Sequence, residues 1–320
     1  MGRFVSVLLL SFLALGIFYL ARGEDFNIIS PLPRAHGQES KSPRPNDWFP
    51  KEARTLGVKD PGLPSLQLSS KSAILVDFDS GETIFGKNPK ERLPVASTVK
   101  IMTALIALEN RKLEDIFTVS ENAYRAGENS MDLSPGEKLT LRELLYGLIL
   151  VSGNDAAVAV AEGVAGSEEK FVEMMNKRAR ELGLSDTQFV NASGLDLDGQ
   201  EQYSTSFDMA TIARYLWESQ VLFREISQTY HWTLGASGEH KAFDLYSDTN
   251  LLTTYPGVKG IKPGFTWEAG MCLVTYAENE GKRLLAVVLG SSDRRGEMKE
   301  LLDYGFASFG IKVSHPGLDL

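Results

Sequence analysis

A serine and a lysine three residues apart, Ser97 and Lys100, are the first candidates for chemistry. They lie in Pro94-Val95-Ala96-Ser97-Thr98-Val99-Lys100-Ile101-Met102-Thr103. Pro94 fits a helix start, and the spacing of three turns both side chains to one side. Val99, Ile101 and Met102 would bury the lysine stem. Burial disfavours an ammonium ion, so a desolvated Lys100 can lose its proton and then take the one on Ser97. Backbone N–H groups at such a start favour an oxyanion developing beside them. The same spacing recurs at Ser167 and Lys170, but Glu168 and Glu169 would hold that lysine charged and Ser167 reads as a helix cap.

Two further groupings can serve such a pair. Ser152-Gly153-Asn154 stands where the apolar run Leu144 to Val151 ends. There the hydroxyl can relay a proton and the amide can hold a substrate carbonyl; helix capping is the alternative. Ser120-Glu121-Asn122 has the same spacing but lies in a polar stretch and reads as a cap or turn. In Val258 to Thr266, Lys262 offers fixed positive charge and Gly264 allows a substrate backbone to approach closely. The plainer reading is an exposed lysine before a turn.

Residue counts remove competing chemistries. The four histidines, His36, His231, His240 and His315, form no HExxH and no pair four apart, and no G-x-S-x-G accompanies them. Cys272 is the single cysteine, so neither an internal disulfide nor a cysteine-rich zinc site is available. Met271, Leu273 and Val274 around it suggest a core thiol. Neither a metal nor a cofactor is expected. With 33 Lys and Arg against 42 Asp and Glu, the net charge of −9 argues against nucleic acid as a partner.

The elements that must position these residues are legible in outline. Phe4 to Ala21 is apolar or small throughout and flanked by Arg3 and Arg22, which predicts an N-terminal membrane anchor or signal segment over 1–22. Seven prolines between Gly23 and Ser65 predict an extended linker over 23–65. Residues 1–65 hold eight basic and six acidic side chains, so the acidity belongs to 66–320. In that part, apolar runs flanking Asp79-Ser80-Gly81 and Asn279-Glu280-Gly281 predict two β-hairpins. Between them the periodicity is helical. Thr140 to Glu143 is a capping-box pattern, Ser167 opens a helix closed at Gly183, Ser204 to Trp217 forms another, and Leu301 to Phe309 closes the chain. The expected fold class is α/β (α+β): a mainly antiparallel sheet built from both ends of one domain, flanked by helices, with a helical insertion.

Taken in order, S-x-x-K, S-x-N and K-x-G resemble the three motifs of the penicillin-recognising serine acyl enzymes. More narrowly, RLPVASTVKIMTALIALEN, LSPGEKLTLRELLYGLILVSGNDAA, FVNASGLDLDGQEQYST and GVKGIKPGFTWEAG are similar to low-molecular-mass D-alanyl-D-alanine carboxypeptidases, over about residues 70 to 310. The resemblance implies a penicillin-binding protein/serine β-lactamase-like fold. It also implies removal of the terminal D-Ala from peptidoglycan stem peptides, with β-lactams as covalent inhibitors and an extracytoplasmic location. Ser97 would be the acylated nucleophile, Lys100 its base and Ser152 a proton relay. Asn154, Lys262 and Gly264 would bind substrate, and the backbone N–H of Phe265 would join that of Ser97 around the oxyanion. Arg294 or Arg295 would meet the substrate carboxylate.

One departure stands out. The family's K-T-G is Lys262-Pro263-Gly264 here. Proline removes a hydroxyl and an N–H, so the segment is expected on a sheet edge and with altered carboxylate binding. A D,D-endopeptidase, a serine β-lactamase and a non-catalytic peptidoglycan-binding relative are the alternatives; no E-x-x-L-N element supports the lactamase. The N-terminal apolar segment is expected to replace the amphipathic C-terminal anchor that many relatives carry beyond a β-rich domain.

Overall fold

Asp77 ends its strand by folding its carboxylate back onto the N–H groups of Asp79 and Ser80, at 2.9 and 2.8 Å, and Gly81 completes the turn at φ +72°. That local chemistry joins β1 (Ser72–Asp77) to β2 (Thr83–Lys87) as an antiparallel hairpin. The structure, a computed structural model, describes Pro50 and residues 66–196, 199–249 and 251–315, all within the compact unit Lys41–Leu320. The anchor or signal segment expected over 1–22 and nearly all of the linker expected over 23–65 lie outside the described residues.

From β2 the chain enters a 3-10 turn, Ala96–Val99, that runs directly into α1 (Lys100–Asn110). The helix therefore begins after Ser97 and not at Pro94, because Ala96 at φ +47° lies outside helical geometry. The insertion continues through β3 (Ile116–Thr118), α2 (Glu121–Tyr124), β4 (Lys138–Thr140), α3 (Leu141–Leu150), α4 (Asn154–Ala165), α5 (Glu168–Glu181), α6 (Ser206–Ser219) and α7 (Val221–Gln228). It ends with β5 (His231–Leu234), β6 (Phe243–Tyr246) and α8 (Leu251–Thr254). Thr140 and Glu143 form the expected capping box on α3, and Ser120 and Ser167 cap α2 and α5. The decoy serines are thereby accounted for by local structure. The small antiparallel pairs β3–β4 and β5–β6 were not foreseen, since each strand has only three or four residues.

The chain then returns through β7 (Val258–Thr266), β8 (Gly270–Asn279) and β9 (Lys282–Ser291), and closes with α9 (Arg294–Ala307). Glu280 and Gly281, at φ +47° and +74°, make the β8–β9 turn as expected. The final helix starts seven residues before Leu301, because Asp293 accepts the Gly296 N–H and caps it.

All five long strands pair antiparallel in the order β2-β1-β9-β8-β7. Residues on β1, β8 and β9 alternate between two cores. Ile74, Val76, Cys272, Val274, Leu285 and Val287 face the helical insertion, whereas Ala73, Leu75, Leu273, Leu284, Ala286 and Val288 face α9. A sheet covered on both faces explains why its strands read as continuous apolar runs. Pro263 is paired with Leu273 on β7, an edge strand, where a missing backbone donor is tolerated.

Candidate active site

Lys100 is fully buried, as are its chain neighbours Val99, Ile101 and Met102. Its Nζ lies 3.1 Å from Ser97 Oγ, 2.7 Å from Asn154 Oδ1 and 2.6 Å from the carbonyl oxygen of Ser193. Asn154 Nδ2 donates to the Gly127 carbonyl at 3.0 Å, which orients the amide so that its oxygen faces Lys100. A neutral amine has two N–H bonds and one lone pair. Two carbonyl-type acceptors and one hydroxyl are the set of partners that matches it. Burial, followed by the positive charge of Lys262, holds Lys100 well below the ordinary lysine range. The arrangement can therefore accept the Ser97 proton.

The expected S-x-N connection lies between α3 and α4. Ser152 sits at φ +59°, is buried, and its Oγ makes no hydrogen bond among the described residues. A β-carbon-bearing residue in that conformation stores strain, as Ala96 does beside Ser97. Gly153, not a serine, holds the cap position of α4, so capping does not account for Ser152. Asn154 uses both ends of its amide within the protein, on Lys100 and on the 127–133 loop. Asp155 ties that loop down by accepting from Met131 N–H, Leu133 N–H and Ser130 Oγ.

On the sheet side, β7 passes directly against the Ser97 turn. A β-carbon on Gly264 would come within 2.9 Å of Ser97 N and 3.1 Å of both Thr98 N and Ala96 Cβ. The glycine thus lets the strand meet the Ser97 turn, whereas its spacing in the sequence suggested room for a substrate backbone. Phe265 follows, half-exposed at the rim with Trp267 edge-on to it. Lys262 is fully buried and pairs with Asp248 at 3.2 Å. Burial moves Lys262 below its ordinary value, against the opposing pull of that carboxylate. Arg294 reaches across from the first turn of α9 and donates to the Gly264 carbonyl at 2.7 Å. Arg295 makes no such contact among the described residues, and its Nε is buried without a partner.

Two partners escaped sequence reasoning. The first is the Ser193 carbonyl, delivered by an Asn191-Ala-Ser-Gly turn in which Asn191 Oδ1 accepts from Ser193 and Gly194. Gly194, at φ +87°, has room only because it lacks a β-carbon, which would fall 2.1 Å from Ala96 O. The Asn and Gly of that turn were a usable signal. The second is Asp248, for which no local pattern exists. No group of three or more His, Cys, Asp or Glu is arranged to hold a metal among the described residues.

A buried Ser-x-x-Lys pair between a helical insertion and an antiparallel edge strand has the architecture of the penicillin-binding protein/serine β-lactamase-like class. The Streptomyces K15 DD-transpeptidase superposes with a TM-score of 0.71 at 29% identity, over 77% of this chain and all of that one. The D-alanyl-D-alanine carboxypeptidase of Mycobacterium tuberculosis H37Rv superposes with the same TM-score of 0.71, at 29% identity over 81% of this chain and 96% of that one. The chain belongs to the D-alanyl-D-alanine carboxypeptidase family, whose model matches residues 57–293. It is 40% identical over 255 residues to DacF of Bacillus subtilis and 35% identical over 279 residues to DacA of Escherichia coli K12, both D-alanyl-D-alanine carboxypeptidases. These matches cover 77% and 80% of this chain, and span 64% and 66% of the length of those relatives.

Proposed function

We propose that this protein is a serine-type D-alanyl-D-alanine carboxypeptidase that removes the terminal D-Ala of peptidoglycan stem peptides. The observation that carries this reading is the Lys100 amine, buried and hydrogen bonded to Ser97 Oγ with two carbonyl-type acceptors on its other sides. Ser97 Oγ attacks the carbonyl carbon of the penultimate D-Ala as its proton passes to Lys100 Nζ. The N–H groups of Ser97 and Phe265 receive the oxyanion. The C–N bond then breaks, and the departing amine takes a proton relayed through Ser152 Oγ. Water hydrolyses the ester by the reverse proton route.

Asn154 and the Ser193 carbonyl keep Lys100 aimed at Ser97 throughout. Lys262 and Arg294 supply positive charge for the substrate carboxylate, with Gly264 giving them a close-fitting strand. Residues 66–320 are the catalytic domain, held outside the cytoplasm by an anchor or signal segment over 1–22 and a linker over 23–65. No helix among the described residues is long and apolar enough to cross a membrane.

Intact mass spectrometry after benzylpenicillin tests the chemistry. The wild-type chain should gain one penicilloyl adduct and release D-Ala from a pentapeptide, and Ser97→Ala should do neither. A folded wild-type protein that forms no adduct and frees no D-Ala would overturn the proposal. Rapid loss of the adduct would instead indicate a β-lactamase.

A further inference from the structure

Three basic side chains, Lys100, Lys262 and Arg294, lie near β7, and each is already engaged with a partner. Burial and the Lys262 charge lower the Lys100 pKa, and its Nζ is hydrogen bonded to Ser97, Asn154 and Ser193. Lys262 has both oxygens of the Asp248 carboxylate at 3.3 and 3.2 Å from its Nζ. Arg294 is engaged with the Gly264 carbonyl and also feels the Asp248 charge. Between Lys262 and Gly264, Pro263 has neither hydroxyl nor N–H to offer.

Asp248 comes from the opposite wall. Its N–H donates to Leu150 O at the end of α3, two residues before Ser152. Its side chain is 34% exposed whereas that of Lys262 is inaccessible. The carboxylate is thus open to solvent while the ammonium it pairs with is not.

We infer that Asp248 is a specificity-determining residue that occupies the free enzyme's cationic subsite on Lys262 and weakens binding of peptides with an anionic C-terminus. The inference rests on the acyl-enzyme reading above. A substrate carboxylate must displace Asp248 from Lys262 or bind beside it, with like charges facing each other. A peptide whose C-terminus is neutral meets no such competition. The site is thereby biased toward acyl-D-Ala-D-amino acid substrates whose terminal charge is masked, compared with a site whose lysine is unpaired.

The test uses the full chain, wild type and Asp248→Asn, with two peptides that differ only in ending as D-Ala carboxylate or D-Ala amide. Asparagine keeps an oxygen acceptor for Lys262 and removes the charge. The carboxylate peptide should gain about tenfold in kcat/KM, the factor set by ~1.4 kcal/mol, mainly through a lower KM, while the amide peptide changes by less than about twofold. Equal changes for both peptides, or no change in their ratio, would overturn the assignment, because a merely structural role affects both alike. Asp248→Ser provides a second neutral variant should Asp248→Asn fold poorly by circular dichroism. The penicilloyl adduct is measured first. Its absence from wild type defeats the acyl-enzyme reading, whereas an adduct with an unchanged ratio defeats the Asp248 assignment alone.

Discussion

Lys100 Nζ has three hydrogen-bonding neighbours, and its protonation state decides what they can do together. As an ammonium it would offer three donors and no base; as an amine it keeps a lone pair for Ser97. Because burial and Lys262 lower its pKa, the active neutral form prevails above that lowered value and is lost as pH falls through it. Acylation by benzylpenicillin should therefore rise with pH and level off well before the ordinary lysine range of about 10.4. Lys262→Met removes a repelling charge and leaves Asp248 unpaired, and both changes favour the ammonium. The acid limb of the acylation profile should move to higher pH in this variant, whatever happens to the plateau; a limb that stays or moves to lower pH would contradict the charge assignment. Ser97 and Lys100 were legible in the sequence because one turn of chain relates them. The Ser193 carbonyl was not, since a backbone oxygen leaves no mark on residue type.

The close contact between β7 and the Ser97 turn is a property of two elements. Gly264 sits at their point of nearest approach, and an added β-carbon meets backbone atoms that cannot swing aside. Gly264→Ala should push the edge strand outward and carry the Phe265 N–H with it. The expected cost is ~10²–10³ in acylation rate, the usual consequence of losing one oxyanion donor. Circular dichroism should remain native, because β7 has a sheet neighbour on one side only. Stopped-flow acylation at the wild-type rate would show that the strand tolerates the displacement. Hairpins and caps were readable at this scale: Asp79-Ser80-Gly81, the Thr140–Glu143 box and the Ser167 cap all act within a few residues. The start of α9 was misread because the expectation followed apolar periodicity from Leu301 and overlooked Asp293 as a cap.

At the scale of the molecule, β1 is hydrogen bonded to β9, so strands from the two ends of the described chain lie side by side in one sheet. The cores on its two faces depend on both, and the helical insertion hangs between them. Residues 66–320 should therefore fold alone, with the thermal midpoint and penicillin acylation rate of the full chain, as differential scanning calorimetry and intact mass would report. Failure of this fragment to fold would show that part of 1–65 completes the core. By itself the sequence determined the serine–lysine pair, the hairpin turns, the Thr140 and Ser167 caps, the antiparallel character of the sheet and the edge position of Pro263. Each follows from short spacing or from the hydrogen-bonding limits of one residue type. Only the tertiary structure decided which partners complete them. Lys100 meets Asn154 and Ser193 across 54 and 93 residues of chain, Lys262 meets Asp248 across 14, and Arg294 rather than Arg295 reaches Gly264 across 30. Such pairings depend on how the sheet and the insertion close on each other, and burial there sets the charge each group can carry.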